Sequence, residues 1–205
     1  AYQHFKLESN QQSNLSEEWE LILMHLPYCY QGRRTFIEIF TEENPDLLEQ
    51  QEGETSKEKT KALSKSLEYL EFVTKKIYPA EVASGNVGNI YTGSIFLGLL
   101  SALYFELKNN RNITQQKVGF IAYGSGSKSK VFEAIISPDW KSQIEKLSLF
   151  ENLKNCIAID FETYEKLHKK ELKTPVLEAK NEFVLDYIEN NNPVLKGARY
   201  YKFIE

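Results

Sequence analysis

The chain has few cysteines, no long apolar run and no excess of positive charge, features that mark several classes of protein. It holds only two cysteines, Cys29 and Cys156, too few for a disulfide framework and without a metal-binding pattern, so we expect a reducing, cytoplasmic setting and no metal. No signal peptide and no apolar run long enough to cross a membrane is visible. With 25 basic against 29 acidic residues, the chain lacks the positive charge of proteins that bind nucleic acid mainly through phosphates.

What is present is typical of a globular domain. The 205 residues are 41% hydrophobic and 26% charged, enough apolar mass for a real core. The length is that of one ordinary domain or of half a larger one. Since the sequence opens on Ala1 rather than Met, we expect residues 1–205 to be a fragment of a longer protein.

The most distinctive stretch is Ser84–Leu107. From Ile90 onward its apolar residues fall on every side of a helical wheel, which predicts a helix over 88–107, buried between layers. Ser94, Gly98 and Ala102 form a stripe of small residues that would let another backbone approach closely. Asn89 is expected to cap this helix, where unpaired N–H groups suit a carbonyl oxygen, an oxyanion or a phosphate. The pattern is equally typical of a capped core helix.

A second candidate site follows the apolar run Trp19–Met24, which predicts a buried strand. His25 stands at its end, where sites collect in open α/β sheets, and is a candidate general base or hydrogen-bond donor. A lone histidine at a strand end is also compatible with a structural role. Arg33 and Arg34 then begin a predicted helix and either bind a phosphate or form a solvated helix start.

The remaining patterns complete an α/β fold with a mixed sheet and helices on both faces. Residues 118–123 predict a central strand, followed by the glycine turn Gly124–Ser127, which exposes N–H groups and a hydroxyl. Further strands are predicted at 131–136, 183–188 and 198–204, with a short one at 2–7. Amphipathic helices are predicted at 63–77, ended by Pro79, and at 138–153 and 161–172.

Three short strings carry a family resemblance. Met24–Tyr28 (MHLPY), Gly88–Ser94 (GNIYTGS) and Ala122–Ser127 (AYGSGS) occur in the order and rough separation found in hydroxymethylglutaryl-CoA synthase. The chain resembles the C-terminal half of that enzyme, which has the thiolase fold. GNIYTGS is the most specific string, whereas residues 1–18 and 41–80 match little.

The resemblance implies a function. The family condenses an acetyl group, held on a cysteine, with acetoacetyl-CoA to give 3-hydroxy-3-methylglutaryl-CoA, so its substrates are coenzyme A thioesters and no cofactor is expected. His25 matches the family's catalytic histidine, which contacts the acetoacetyl thioester. Asn89 and Ser125 match two substrate-binding residues, and Tyr91 and Gly124 lie beside them in the same strings.

The sequence also departs from the family. The lysine that usually stands five residues after the histidine is Tyr30 here, so Arg33 and Arg34 are candidates to contact the phosphates of coenzyme A. The nucleophilic cysteine and the general acid/base glutamate belong to the family's N-terminal half, and Cys29 is not that nucleophile. We therefore expect this chain to be inactive alone, to work with such an N-terminal half and to form a homodimer.

Three other functions remain open. A related synthase acts on acyl chains bound to a carrier protein, and the arginines do not distinguish the two carriers. A non-catalytic acyl-CoA-binding or interaction module could also have kept the fold. A relative of the ketoacyl synthases would share the histidine and the helix that begins with Gly-Asn. The residues after Asn89 and the YGSG turn favour hydroxymethylglutaryl-CoA synthase over that family.

Overall fold

A computed structural model describes residues 1–10, 13–124, 128–172 and 174–205. The elements, in chain order, are α1 (Tyr2–Glu8), α2 (Leu15–Glu18), β1 (Trp19–Met24), α3 (Gln31–Glu43), α4 (Pro45–Glu49), α5 (Ser56–Leu63), α6 (Leu67–Lys76), α7 (Tyr78–Val87), α8 (Gly93–Lys108), β2 (Lys117–Gly124), β3 (Lys128–Ile135), α9 (Trp140–Ile144), α10 (Leu149–Lys154), α11 (Phe161–His168), β4 (Glu182–Ile188) and β5 (Arg199–Ile204). They fall into two units, Ala1–Asn155 and Cys156–Glu205.

A mixed sheet of three strands organises the first unit. β1 pairs in parallel with β2, and β2 pairs antiparallel with β3, so β2 is central as the sequence predicts. Because β1 and β2 run the same way, their carboxyl ends lie at one edge of the sheet. The predicted strands at 19–24, 118–123 and 131–136 are confirmed, to within a residue or a few at their ends.

Helices cover both faces of this sheet, which confirms the predicted fold class. Ile22 and Met24 pack on one face with residues of α3, α5 and α6. Leu21 and Leu23 pack on the other face with residues of α7, α8 and α9. Side chains alternate between the faces of a strand, so the uninterrupted apolar run of β1 follows from burial on both sides.

Trp19 depends on a glycine in the neighbouring strand. The pairing of β1 with β2 shifts register between Trp19 and Leu21, and the Trp19 ring lies over Gly119. A Cβ atom at position 119 would overlap that ring, so only glycine fits there. The ring is fully buried, and its Nε1 donates a hydrogen bond to Glu133 of β3 at 3.0 Å. Trp19 thus links all three strands.

The stripe of small residues in α8 brings α7 close, as the sequence predicts. A Cβ atom at Gly98 would lie 3.5 Å from both the Cβ and the carbonyl oxygen of Ala80. Ser101 adds two hydrogen bonds across this contact, donating to the Pro79 carbonyl at 2.7 Å and accepting the Ala83 N–H at 3.1 Å. α8 itself begins at Gly93, later than predicted, and Phe96 on its outer side is 56% exposed.

Three predictions for residues 1–79 were wrong. Residues 2–7 form a helix rather than a strand, because Tyr2 and Phe5, one turn apart, both pack against the Trp19 ring. The single helix predicted over 63–77 is broken at Ser66, whose hydroxyl caps α6 by accepting the Tyr69 N–H. Pro79 does not end a helix but lies in the first turn of α7, where its missing N–H costs nothing.

Helices later in the chain are also shorter than predicted. The predicted helix over 138–153 is two short helices, α9 and α10, and α11 ends at His168 rather than at residue 172. Asp160 caps α11, accepting the Thr163 N–H at 2.7 Å.

The second unit is built on a hairpin. β4 and β5 pair antiparallel in a sheet of their own, which confirms both predicted strands. Phe183 lies opposite Phe203 with ring centroids 5.1 Å apart, and the rings of Tyr187 and Tyr200 stack at 4.5 Å. These cross-strand pairs stabilise the hairpin although their side chains remain substantially exposed.

Candidate functional site

His25 lies where β1 leaves the sheet. Its backbone N–H donates to the Ile121 carbonyl at 3.1 Å, so the residue is fixed beside the last part of β2. The Tyr123 ring meets the imidazole edge to face, with centroids 5.0 Å apart and planes at 87°. The side chain is partly buried and still reaches the surface. The position at the carboxyl ends of two parallel strands is the one that the sequence predicts.

The first turn of α8 reaches the same histidine. Ser94 is fully buried, and its hydroxyl oxygen lies 3.1 Å from Nδ1 of His25. The same oxygen accepts the N–H of Leu26 at 3.0 Å. Sequence reasoning counted Ser94 only among the small packing residues and missed this contact. Its place at the end of the GNIYTGS string is the one signal that could have pointed to it.

Asn89 is not the cap of α8. That position is taken by Thr92, and the Asn89 side chain instead accepts the Tyr91 N–H at 2.8 Å, closing a turn just before the helix. Tyr91 has a left-handed backbone (φ 53°) and is 77% exposed. Asn89 is also exposed.

The two predicted arginines differ. The Nε of Arg33 lies 3.1 Å from both carboxylate oxygens of Glu81 in α7, and the Glu81 side chain is 1% exposed. This hydrogen-bonded carboxylate raises the pKa of the Arg33 guanidinium. Arg34 is exposed, with its guanidinium 5.5 Å from the centre of the Tyr28 ring. Arg33 therefore joins α3 to α7, whereas Arg34 is presented to solvent.

The described residues bring His25 together with Tyr123 near the end of β2 and with Ser94 in the first turn of α8. Gly124 ends β2, and Asn89 and Tyr91 lie in the turn that leads into α8. Ser125, the next residue in the chain after Gly124, lies outside the described residues. Within the described ranges no three His, Cys, Asp or Glu side chains form a metal-sized cluster, and no helix is long and apolar enough to cross a membrane. The corner at His25 offers an imidazole and strand-end backbone, groups that can bind a polar ligand.

Solved structures share this fold. MvaS in complex with 3-hydroxy-3-methylglutaryl coenzyme A superposes with a TM-score of 0.69 at 19% identity, covering 97% of this chain and 46% of that one. The curacin biosynthetic pathway HMG synthase in complex with holo donor-ACP gives 0.73 at 17% identity, covering 100% and 47%. Both likenesses confirm the thiolase-like α/β fold.

Sequence comparison supplies the family. A hydroxymethylglutaryl-CoA synthase of Enterococcus faecalis is 24% identical over 160 residues, which is 78% of this chain and 35% of that protein. The chain thus spans about a third of this relative and just under half of each solved structure. Residues 2–192 match the family model for the hydroxymethylglutaryl-coenzyme A synthase C terminal. Because this match covers nearly the whole chain, the chain belongs to the hydroxymethylglutaryl-CoA synthase family, whose C-terminal part it represents.

Proposed function

We propose that this chain is the acetoacetyl-thioester-binding part of an acyltransferase that makes 3-hydroxy-3-methylglutaryl-CoA from acetyl-CoA and acetoacetyl-CoA. The observation that carries the proposal is the meeting of His25, the end of β2 and the first turn of α8 at one edge of the sheet. The nucleophilic cysteine and the general acid/base are assigned to an N-terminal half. By itself the chain binds but does not condense.

The proposed chemistry uses donors held at fixed positions. The general acid/base of the N-terminal half would take a proton from the acetyl group on the cysteine, the resulting carbanion would attack the ketone carbon of acetoacetyl-CoA, and the proton would then return to the new alkoxide oxygen. The carbonyl oxygen gains negative charge as the carbon–carbon bond forms, and hydrolysis then releases the product from the cysteine. Hydrogen bonds from His25, the Asn89 amide and the Ser125 hydroxyl would hold the thioester and ketone oxygens, and such donors stabilise developing charge. Tyr91 and Gly124 would shape the walls beside them.

The proposal is tested in the full-length enzyme by His25→Ala and Asn89→Ala. Each is expected to lower kcat/KM by about 10²-fold or more, because each removes a donor to a charged transition state. Asn86→Ala is the matched control for the amide, since the Asn86 side chain donates to the Val82 carbonyl within α7. Near wild-type rates in both variants would show that these roles are wrongly assigned.

A carrier protein is the alternative source of the acyl chain. One structural relative is an HMG synthase solved with a donor acyl carrier protein, and the phosphopantetheine arm is common to both carriers. Arg34, exposed near the start of α3, would contact phosphate in either case. Turnover of acetoacetyl-CoA compared with acetoacetyl-carrier protein by the full-length enzyme decides between them.

We also propose that the enzyme is a homodimer. The chain exposes large apolar side chains, among them Phe96 at 56% and Phe183 at 72%, and such surface favours association. Sedimentation of the 205-residue chain is expected to show a dimer or larger species. A clean monomer at high concentration would contradict this expectation.

A further inference from the structure

The hydroxyl of Ser94 joins the imidazole of His25 to the backbone just after β1. It accepts the Leu26 N–H at 3.0 Å and lies 3.1 Å from Nδ1 of His25. Ser94 has no exposed surface, and it stands in the first turn of α8, which is anchored against α7 through Gly98 and Ser101. The hydroxyl is therefore fixed relative to the imidazole by two elements, the β1 end and α8.

The positions of the hydrogens follow from these contacts. The Leu26 amide can only donate, so it uses the oxygen of Ser94 as an acceptor. The hydroxyl hydrogen is then left for Nδ1 of His25, provided that this nitrogen carries no hydrogen itself. If Nδ1 were protonated, both neighbours would donate to Ser94, and its hydrogen would have no acceptor among the described residues. A buried donor without a partner is costly, so the first arrangement is preferred.

We propose that Ser94 is a positioning residue that holds His25 as the neutral tautomer with its hydrogen on Nε2. Which ring nitrogen carries the hydrogen is set by the bond that the other nitrogen makes. The edge-to-face contact with Tyr123 limits rotation of the ring, so Nε2–H keeps one direction. Given the proposed function, His25 then acts on the acyl thioester as a hydrogen-bond donor to a carbonyl oxygen, and not as a general base.

The test reads the tautomer directly. Long-range ¹H–¹⁵N spectra of the ¹⁵N-labelled 205-residue chain separate the ring nitrogens of its three histidines. We expect His25 to show an unprotonated Nδ1 and a protonated Nε2, and Ser94→Ala to shift it towards a mixture of tautomers. Ser94→Thr, which keeps the hydroxyl, is expected to restore the wild-type pattern. The control is Ser101→Ala, which removes another buried α8 hydroxyl without touching His25.

Two results would overturn the proposal: a wild-type His25 with its hydrogen on Nδ1, or an unchanged His25 pattern in Ser94→Ala. If Ser94→Ala does not fold, Ser94→Cys takes its place, because a thiol is a weak donor and the same shift is expected. These spectra need no substrate, so they test the role of Ser94 independently of the proposed reaction.

In the full-length enzyme, Ser94→Ala is expected to lower kcat/KM by about tenfold, less than loss of the donor itself. It should have no further effect in a His25→Ala background, because Ser94 acts through the imidazole. A purely structural role would give losses that add.

Discussion

Phe36 in α3 is completely buried beneath the sheet, whereas Phe183 in β4 leaves 72% of its surface exposed. The contrast holds for the two units as a whole. In Ala1–Asn155 both faces of β1 and β2 are covered by helices, and the residues around His25 are held by that packing. In Cys156–Glu205 the hairpin is held by backbone ladders and ring pairs. The proposed chemistry therefore belongs to the unit whose geometry is fixed from both sides.

The largest expected effect is on stability, when a phenylalanine is replaced by alanine in each of the two units. Phe36→Ala should lower the free energy of unfolding by about 3–5 kcal/mol, because it leaves a cavity in a closed core. Phe183→Ala should cost less than about 1 kcal/mol, since it removes only a cross-strand pair. Urea unfolding measures both losses: the fluorescence of Trp19 and Trp140 follows Ala1–Asn155, and circular dichroism follows the hairpin of the second unit. Equal losses would remove the distinction between the units.

A second comparison separates two neighbours within the first unit. Arg33→Ala should cost about 3 kcal/mol or more, because it leaves the buried carboxylate of Glu81 without its cation. Arg34→Ala should change the free energy of unfolding by less than about 0.5 kcal/mol, since its side chain is exposed. The same urea titrations apply. A stable Arg33→Ala variant would mean that the ion pair contributes little to the fold.

For the binding of coenzyme A, we expect Arg34 to matter more than Arg33, the opposite of their order for stability. In the full-length enzyme Arg34→Ala should raise the Kd for coenzyme A, measured by titration calorimetry, because the exposed guanidinium is the one left to meet phosphate. Arg33→Lys, which keeps the charge beside Glu81, should leave that Kd unchanged. An affinity that depends on Arg33 and not on Arg34 would reverse the assignment.

The smallest expected effect lies in the second unit. The hydrogen bond from Thr163 lowers the pKa of the Asp160 carboxyl below its ordinary value. Because the folded-state pKa is depressed, this cap stabilises α11 above about pH 4 and is lost as the pH falls through the lowered value. The Thr163 amide resonance should follow that transition, and Asp160→Asn, which keeps an accepting oxygen, should abolish it. A transition that persists in Asp160→Asn would assign it to another group.

Much of the fold follows from local pattern. The apolar run of β1 predicts a buried strand and residues 118–123 predict a central one, and the end of β1 then predicts where His25 lies. The helix ends were less predictable. One serine, Ser66, divides a continuous apolar pattern, and Pro79 starts a helix, because cap hydrogen bonds and packing decide those points rather than periodicity.

The site was predictable only in part for the same reason. The family strings indicate His25, Asn89 and Ser125, but the contact of Ser94 with His25 and the ion pair of Arg33 with Glu81 could not be predicted from the sequence. Both depend on contacts with residues distant in the chain, the Leu26 amide and the Glu81 carboxylate, and no local spacing reveals such partners. Arg33 and Arg34 are adjacent in the sequence, but the tertiary structure gives them different surroundings.

The overlap of the Trp19 ring with the space above Gly119 has a consequence for how this sequence can vary. A methyl group at position 119 is tolerated only if position 19 first becomes small, and a small residue at 19 leaves a hole beneath three strands unless 119 grows. Neither single step is neutral, so the two positions must exchange volume together. A library that randomises them jointly should therefore return compensating pairs, although neither position accepts change on its own.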